Sequence, residues 1–212
     1  MESSSPLMPT DAQPNYMPPP PPAVEPLTLR AATPADAPAL ALVSAATFLE
    51  AYTWMLPGPD ILAFCAEHQT PAAYAKYLAA PTTRITLALT GADVPVGFTL
   101  VCAPELPSIE TLPGDLELKR IYLFSRFRSN STPVLDPAGQ PIAGLRGGQA
   151  LLNAAIADAR TLGAHRLLLG TNAGNQRAIA FYRRNGFQEI GTRTFVVGNQ
   201  CCCDLLFALT LQ

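Results

Sequence analysis

Charge is what this chain has least of. Asp, Glu, Lys and Arg together make up 14% of its 212 residues, and the formal net charge is −2. Neither sign dominates, so the sequence offers no basic field for nucleic acid or for an anionic membrane surface. No apolar run reaches the length needed to span a bilayer. The opening MESSSPLMPT lacks both the basic stretch and the apolar core of a secretory signal, and a cytoplasmic protein is expected. A disulfide framework is missing as well. The cysteines number five, an odd count, and three of them (Cys201, Cys202 and Cys203) are adjacent. Neighbours on a strand point to opposite faces, so these three do not converge easily on one ion. Palmitoylation and metal binding stay open for them, but reduced thiols and no metal are the expectation.

Apolar residues are plentiful. At 49% they are ample for a core, and the length fits one domain with extras. Proline is concentrated near the start, where Pro18 to Pro22 follow Met17. Such density favours polyproline II and cannot pack a core. Residues 1–26 are therefore expected to be a disordered proline-rich extension, with a proline-binding partner module as one use for it. Residues 27–212 form a single domain.

Within that domain LTLR reads as a short strand, and Thr33-Pro34-Ala35-Asp36 as a helix start with Thr33 as cap. A helix follows through Leu40, Val43 and Phe48, is broken at Pro57-Gly58-Pro59, and gives way to helical stretches near Ile61–His68 and Pro71–Ala79. Ile85–Leu89 and Val96–Ala103 flank a turn at Gly91-Ala92-Asp93 and predict a hairpin. Glu117–Phe124 predicts another strand. Ser129 to Ile142 reads as a loop, long enough to be either mobile or functional. Gly147–Leu162 is an amphipathic helix closed by Gly163. His165–Thr171 is a buried strand, Asn175–Arg184 a helix, and strands finish the chain. The order predicts an α/β domain with a mixed central sheet.

The chemistry concentrates between Gly144 and Gly191. Ala143-Gly144-Leu145-Arg146-Gly147-Gly148 lies between a strand and a helix. Glycines let a backbone approach a ligand, and free N–H groups at a helix start attract anions, so this stretch is either a pyrophosphate cradle or a plain helix start. No Gly-Lys-Ser/Thr closes it as in a P-loop. Asn175 caps the next helix or reaches a ligand in the adjacent cleft. Tyr182, seven residues on, shares its face. It is either a core aromatic or a phenol able to protonate a leaving thiolate.

These motifs in this order resemble the GCN5-related N-acetyltransferase (GNAT) superfamily, whose signature Q/R-x-x-G-x-G/A is followed by a strand, an Asn and a helix ending in a pattern like FYxxxGF. The resemblance spans roughly Leu27 to Gln212 and is strongest after Leu116. The branch it is most similar to holds bacterial spermidine/spermine-type N-acetyltransferases. It implies the GNAT fold: a sheet of six to seven strands flanked by about four helices, with a V-shaped split between the fourth and fifth strands. It implies acetyl-CoA as cosubstrate and direct attack by the primary amine of a small molecule, a polyamine being one option. Backbone groups of Tyr122, Leu123 and Phe124 would bind the acetyl carbonyl and pantetheine arm. Gly144, Arg146, Gly147, Gly148 and Gln149 would hold the pyrophosphate, assisted by Asn175 and Ala178. Tyr182 matches the general acid. Glu117 matches a carboxylate that serves as base, or else pairs with Lys119 or Arg120. A homodimer is compatible with the family. The signature departs at Ala143, where Gln or Arg is usual, and at Arg146, where Gly is usual. Those departures keep a non-catalytic acyl-CoA-binding or scaffold protein in play, and the fold also allows a protein N-acetyltransferase.

Overall fold

The computed structural model describes residues 23–106, 109–129, 132–198 and 200–211. The proline-rich expectation for 1–22 lies outside the described residues. Seven strands form one sheet: β1 Thr28–Ala31, β2 Arg84–Leu89, β3 Pro95–Cys102, β4 Asp115–Leu123, β5 Arg166–Asn172, β6 Gln188–Val197 and β7 Gln200–Thr210. Their spatial order is β1-β2-β3-β4-β5-β7-β6. Every adjacent pair is antiparallel except β4 with β5. Among the described residues five α-helices flank the sheet: α1 Ala37–Tyr52, α2 Gly58–His68, α3 Pro71–Ala79, α4 Gly147–Thr161 and α5 Gln176–Arg184.

Alternation along β2 separates the two faces. Ile85, Leu87 and Leu89 pack with Leu40 and Tyr74 of α1 and α3. Ala88 packs with Ala150 and Leu151 of α4, and the Thr86 hydroxyl donates to Asp158 of α4 at 2.9 Å. The sheet is thus covered on one face by α1 and α3 and on the other by α4. On that second face α5 joins α4, with Ile179 and Tyr182 packed among Leu152, Leu167, Leu169 and Phe207.

Local signals decide most boundaries. Asp36 reaches back to the Thr33 N–H at 2.7 Å, so the first turn after Pro34 is a short 3₁₀ turn before α1 proper. Gly163 and Gly186 have φ of +77° and +84° where α4 and α5 stop. In the β2–β3 turn it is Asp93, not Gly91, that takes positive φ.

The 132–142 stretch is stitched into the fold, which its polar composition does not reveal. Leu27 N–H donates to Pro133 O at 2.8 Å, Leu135 N–H returns to Leu27 O at 2.7 Å, and Ile142 N–H closes onto Val134 O. Val134 is buried beside Leu27 and Leu123. The Asp136 carboxylate accepts from Ala138 and Gln140 N–H and holds the tip of the turn.

Candidate active site

β4 and β5 pair only at Asp115–Arg166, Leu116–Leu167 and Glu117–Leu168. Past that point β4 continues to Leu123 and β5 to Asn172 with no pairing between them, so the sheet opens as a V with Glu117 at its apex. The closed end is clamped by an ion pair. Arg166 Nε and NH2 donate to the two Asp115 oxygens at 2.8 and 2.6 Å. That guanidinium and the Leu112 N–H hold the Asp115 carboxyl below the usual carboxylate range. The open side is turned by a β-bulge. Leu100 faces Arg120 but Val101 faces Leu118, so Lys119 is an extra residue. As a result Glu117, Lys119, Arg120 and Tyr122 all line one cavity, while Leu118, Ile121 and Leu123 pack toward α4.

The cavity measures about 790 Å³. The end of α1 and α2 supply Phe48, Tyr52 and Phe64, with Phe48 and Phe64 stacked at 4.8 Å between centroids. Its far wall is β6 and β7, where Arg193 ion-pairs with buried Asp204 at 3.1 Å. Gly170 of β5 lies against this pair, since a Cβ there would sit 3.0 Å from the Arg193 guanidinium. On β4, Lys119 Nζ pairs with Glu105 at 2.6 Å.

The residues expected from the sequence fall out as follows. Glu117 is buried, lines the cavity, and accepts the Glu105 N–H at 2.7 Å. It forms no ion pair with Lys119 or Arg120 within 4.0 Å. Lys119 is taken by Glu105, and Arg120 binds the Tyr74 hydroxyl. Tyr182 is buried among Phe181, Phe187 and Phe207. Burial first, and then the neighbouring Tyr122 phenol, push its pKa up. Tyr52, on the cavity side, is pushed up to about 12 by burial and by Tyr182. Three phenols therefore meet at the split, all protonated at neutral pH, able to donate but not to act as bases.

Three backbone donors need correcting. Phe124 N–H donates to Val96 O at 3.0 Å and so is not available to a cofactor. By the alternation of an antiparallel ladder, Tyr122 N–H faces β3 in the same way, and the N–H groups of Ile121 and Leu123 turn toward the gap. The Leu123 carbonyl confirms that direction, since it accepts from Arg128 Nε at 2.6 Å on the side away from β3. Ala178 N–H is likewise used, donating to the Asn175 side chain at 3.1 Å. Asn175 Oδ1 thus caps α5.

At the start of α4 the N–H groups of Gly147, Gly148 and Gln149 have no partner within the helix. Ala150 N–H makes the first helical bond, to Arg146 O at 2.8 Å. The helix start abuts the end of β4, because a Cβ on Gly147 would lie 2.9 Å from Leu123 Cδ2. A Cβ on Gly148 meets nothing within 4 Å. Gly144 needs its glycine, with φ +71°, whereas Arg146 has φ −101° and ψ 152° and is exposed. Position 146 therefore imposes no glycine conformation. Gln149 ties α4 to the end of α5 by donating to Asn185 Oδ1 at 2.7 Å.

Sequence reasoning points to the segments that carry Tyr52, Arg193 and Asp204, Phe48 to Thr53 and the last hairpin, as sources of acceptor contacts without singling out these residues, and gives Lys119 and Arg120 no role beyond pairing with Glu117. Only the Phe48–Tyr52 spacing on α1 carried a local signal for any of these.

An α/β sheet split between its parallel strands, with a glycine-rich helix start at the open end, defines an acyltransferase of the GNAT class. The sequence profile of the acetyltransferase (GNAT) family matches residues 141–187. An uncharacterized N-acetyltransferase of Mycobacterium tuberculosis is 31% identical over 163 residues, covering 77% of this chain and 90% of the relative. The chain belongs to the GNAT family and is an N-acetyltransferase. Solved structures similar to it include the PaiA N-acetyltransferase of Thermoplasma acidophilum in complex with coenzyme A, at 15% identity and a TM-score of 0.63, covering 87% of this chain and 98% of that one. Another is the spermidine/spermine N-acetyltransferase SpeG of Vibrio cholerae, at 17% identity and a TM-score of 0.54, covering 87% and 94%. These two likenesses concern the fold. Among the described residues no helix is long and apolar enough to cross a membrane.

Proposed function

We propose that the protein transfers an acetyl group from acetyl-CoA to the primary amine of a small molecule, with both substrates bound together. The observation that carries this reading is the V between β4 and β5. At its mouth lie the free N–H groups of Gly147, Gly148 and Gln149, and from its edge the Ile121 and Leu123 N–H groups point into the gap. Three N–H groups at the positive end of a fifteen-residue helix suit a pyrophosphate, and the open space at Gly148 leaves room for one. The cosubstrate supplies an electrophilic thioester carbonyl.

The chain's own residues do the rest. N–H donors on the β4 edge are fixed before the reaction, so they can stabilise a developing oxyanion without reorganising. The cavity holds the amine against the split, turning a bimolecular encounter into a positioned one. As the C–N bond forms and the C–S bond breaks, an ammonium acceptor gives up two protons and the departing thiolate takes one. Glu117, at the apex and bearing no ion pair, is placed to accept a proton from the amine. Tyr182, protonated and near Tyr122, would donate one to the sulfur. A cavity enclosed by α1, α2, α3 and the β6–β7 wall favours a small acceptor over a protein terminus, and a polyamine is one member of the small-amine class.

Calorimetric titration of the purified protein with CoA should show micromolar binding. No heat of binding from mildly acidic to mildly alkaline pH would overturn the reading.

A further inference from the structure

The acceptor cavity holds four acidic side chains and four Lys or Arg side chains: Glu67, Glu105, Glu117 and Asp204 against Lys76, Lys119, Arg120 and Arg193. Several of these cancel locally. Lys119 pairs with Glu105 and Arg193 with Asp204, while Glu67 and Lys76 are exposed. Two of the remaining groups belong to β4. One is Glu117, which takes only a backbone N–H. The other is Arg120.

Arg120 has no carboxylate within 4.0 Å among the described residues. One guanidinium nitrogen donates to the Tyr74 hydroxyl at 2.8 Å and the other to His68 O at 3.5 Å. Its Cζ lies 5.4 Å from the Tyr74 ring centroid and 5.9 Å from that of Tyr77. A guanidinium has five N–H donors, so most of its capacity is unspent on neutral partners. The two rings hold it in place. Tyr74 is fully buried against Phe98, so its hydroxyl is a fixed anchor. A cation held rigidly by neutral partners keeps its charge available to an incoming anion. A planar fork of this kind matches carboxylate oxygens in pairs.

Resting on the N-acetyltransferase reading above, we propose that the acceptor is a zwitterionic amine. It carries a carboxylate or similar anionic oxygen group, bound by Arg120, several bonds from the amino group that reacts beside Glu117. Glu117 and Arg120 face β3 residues two apart, Cys102 and Leu100, so the bulge sets them roughly 7 Å apart along the strand at about 3.3 Å per residue. The Arg120 side chain runs toward α2 and α3, away from the split. That separation excludes a short α-amino acid and fits an ω-amino acid or a longer aminoacyl compound. The aromatic wall of Phe48 and Phe64 would cover its apolar middle. A polyamine, by contrast, would put a second ammonium against an unneutralised guanidinium.

The test compares hexylamine, ω-aminocaproate, an aminoalkylphosphonate and hexamethylenediamine as acceptors at saturating acetyl-CoA. The wild type should favour ω-aminocaproate over hexylamine in kcat/KM by about tenfold or more, the size expected for hydrogen bonds to a charged partner. Hexamethylenediamine should be the poorest. A phosphonate that outperforms the carboxylate assigns the anion as phosphate-like, still held by Arg120. In Arg120→Gln the preference for ω-aminocaproate over hexylamine should vanish, chiefly through KM, and Arg120→Lys should restore part of it. Equal kcat/KM for hexylamine and ω-aminocaproate in the wild type would overturn the proposal, as would an Arg120→Gln loss that falls on both alike. Titrating the wild-type CoA complex with hexanoate provides a readout free of turnover and of variant folding. Binding of hexanoate but not hexylamine supports the Arg120 anion site even if no amine is acetylated. Acetylation of hexylamine with no hexanoate binding rejects the site while leaving the enzyme reading intact.

Discussion

Tyr182 has its ring fixed by Phe181, Phe187 and Phe207, so the hydroxyl can be removed without disturbing what holds the side chain. If the phenol is the proton donor, Tyr182→Phe should lower kcat about 10²-fold, the usual size of a general-acid contribution, and leave the unfolding temperature nearly unchanged. Steady-state rates alongside thermal unfolding check both halves. Unchanged kcat would return Tyr182 to a purely packing role. The sequence placed this residue correctly on the α5 face, because helical spacing is a local property. It could not show that Tyr52 and Tyr122 come from α1 and β4 to meet it. Nor could it show that Phe124 and Ala178 N–H groups are already engaged, since ladder direction and cap occupancy depend on neighbours elsewhere in the chain.

Among elements, the start of α4 separates fold from function through two adjacent glycines. A Cβ at Gly147 meets Leu27 Cδ1 at 2.7 Å and Leu123 Cδ2 at 2.9 Å, both side chains in a packed core. Gly147→Ala should therefore cost about 1–3 kcal/mol of stability, measured by urea unfolding. Gly148→Ala meets no protein atom, and alanine is the better helix former, so stability should hold or rise by less than about 1 kcal/mol. Its new methyl group faces the seat assigned to the pyrophosphate, so KM for acetyl-CoA should rise. A normal KM in Gly148→Ala would move the phosphate site elsewhere. The glycine pattern made this helix start legible in the sequence. The role of 132–142 was not legible there, because a polar turn-rich composition does not announce backbone pairing with Leu27, about a hundred residues away.

For the whole molecule, the V exists because β4 and β5 are joined at one end and apart at the other. Asp115 and Arg166 make that joint, with the Asp115 side chain almost fully buried and Arg166 27% exposed. Asp115→Asn should cost about 2 kcal/mol at neutral pH, the scale of hydrogen bonds to a charged group. Because the folded carboxyl titrates below its unfolded value, near ~3.9, the wild-type advantage is complete above that value. It fades as pH falls through the lower folded pKa. Urea unfolding across an acid pH series should show the two proteins converging, and a constant difference would reject the clamp. The order of strands and helices was readable along the chain, down to the hairpin and both glycine stops. Where the parallel pair comes apart was not, since no residue pattern in β4 or β5 marks the last hydrogen bond.

The extra residue in β4 has an evolutionary corollary. Removing Lys119 would restore strict alternation to the strand while leaving Glu117, Arg120 and Tyr122 on the cavity side. Glu105 would then lose its partner, and the pocket would gain a free carboxylate from the loss of one codon. A chain lacking Lys119 would thus present a second carboxylate, besides Glu117, to a cationic acceptor without rebuilding any wall of the site.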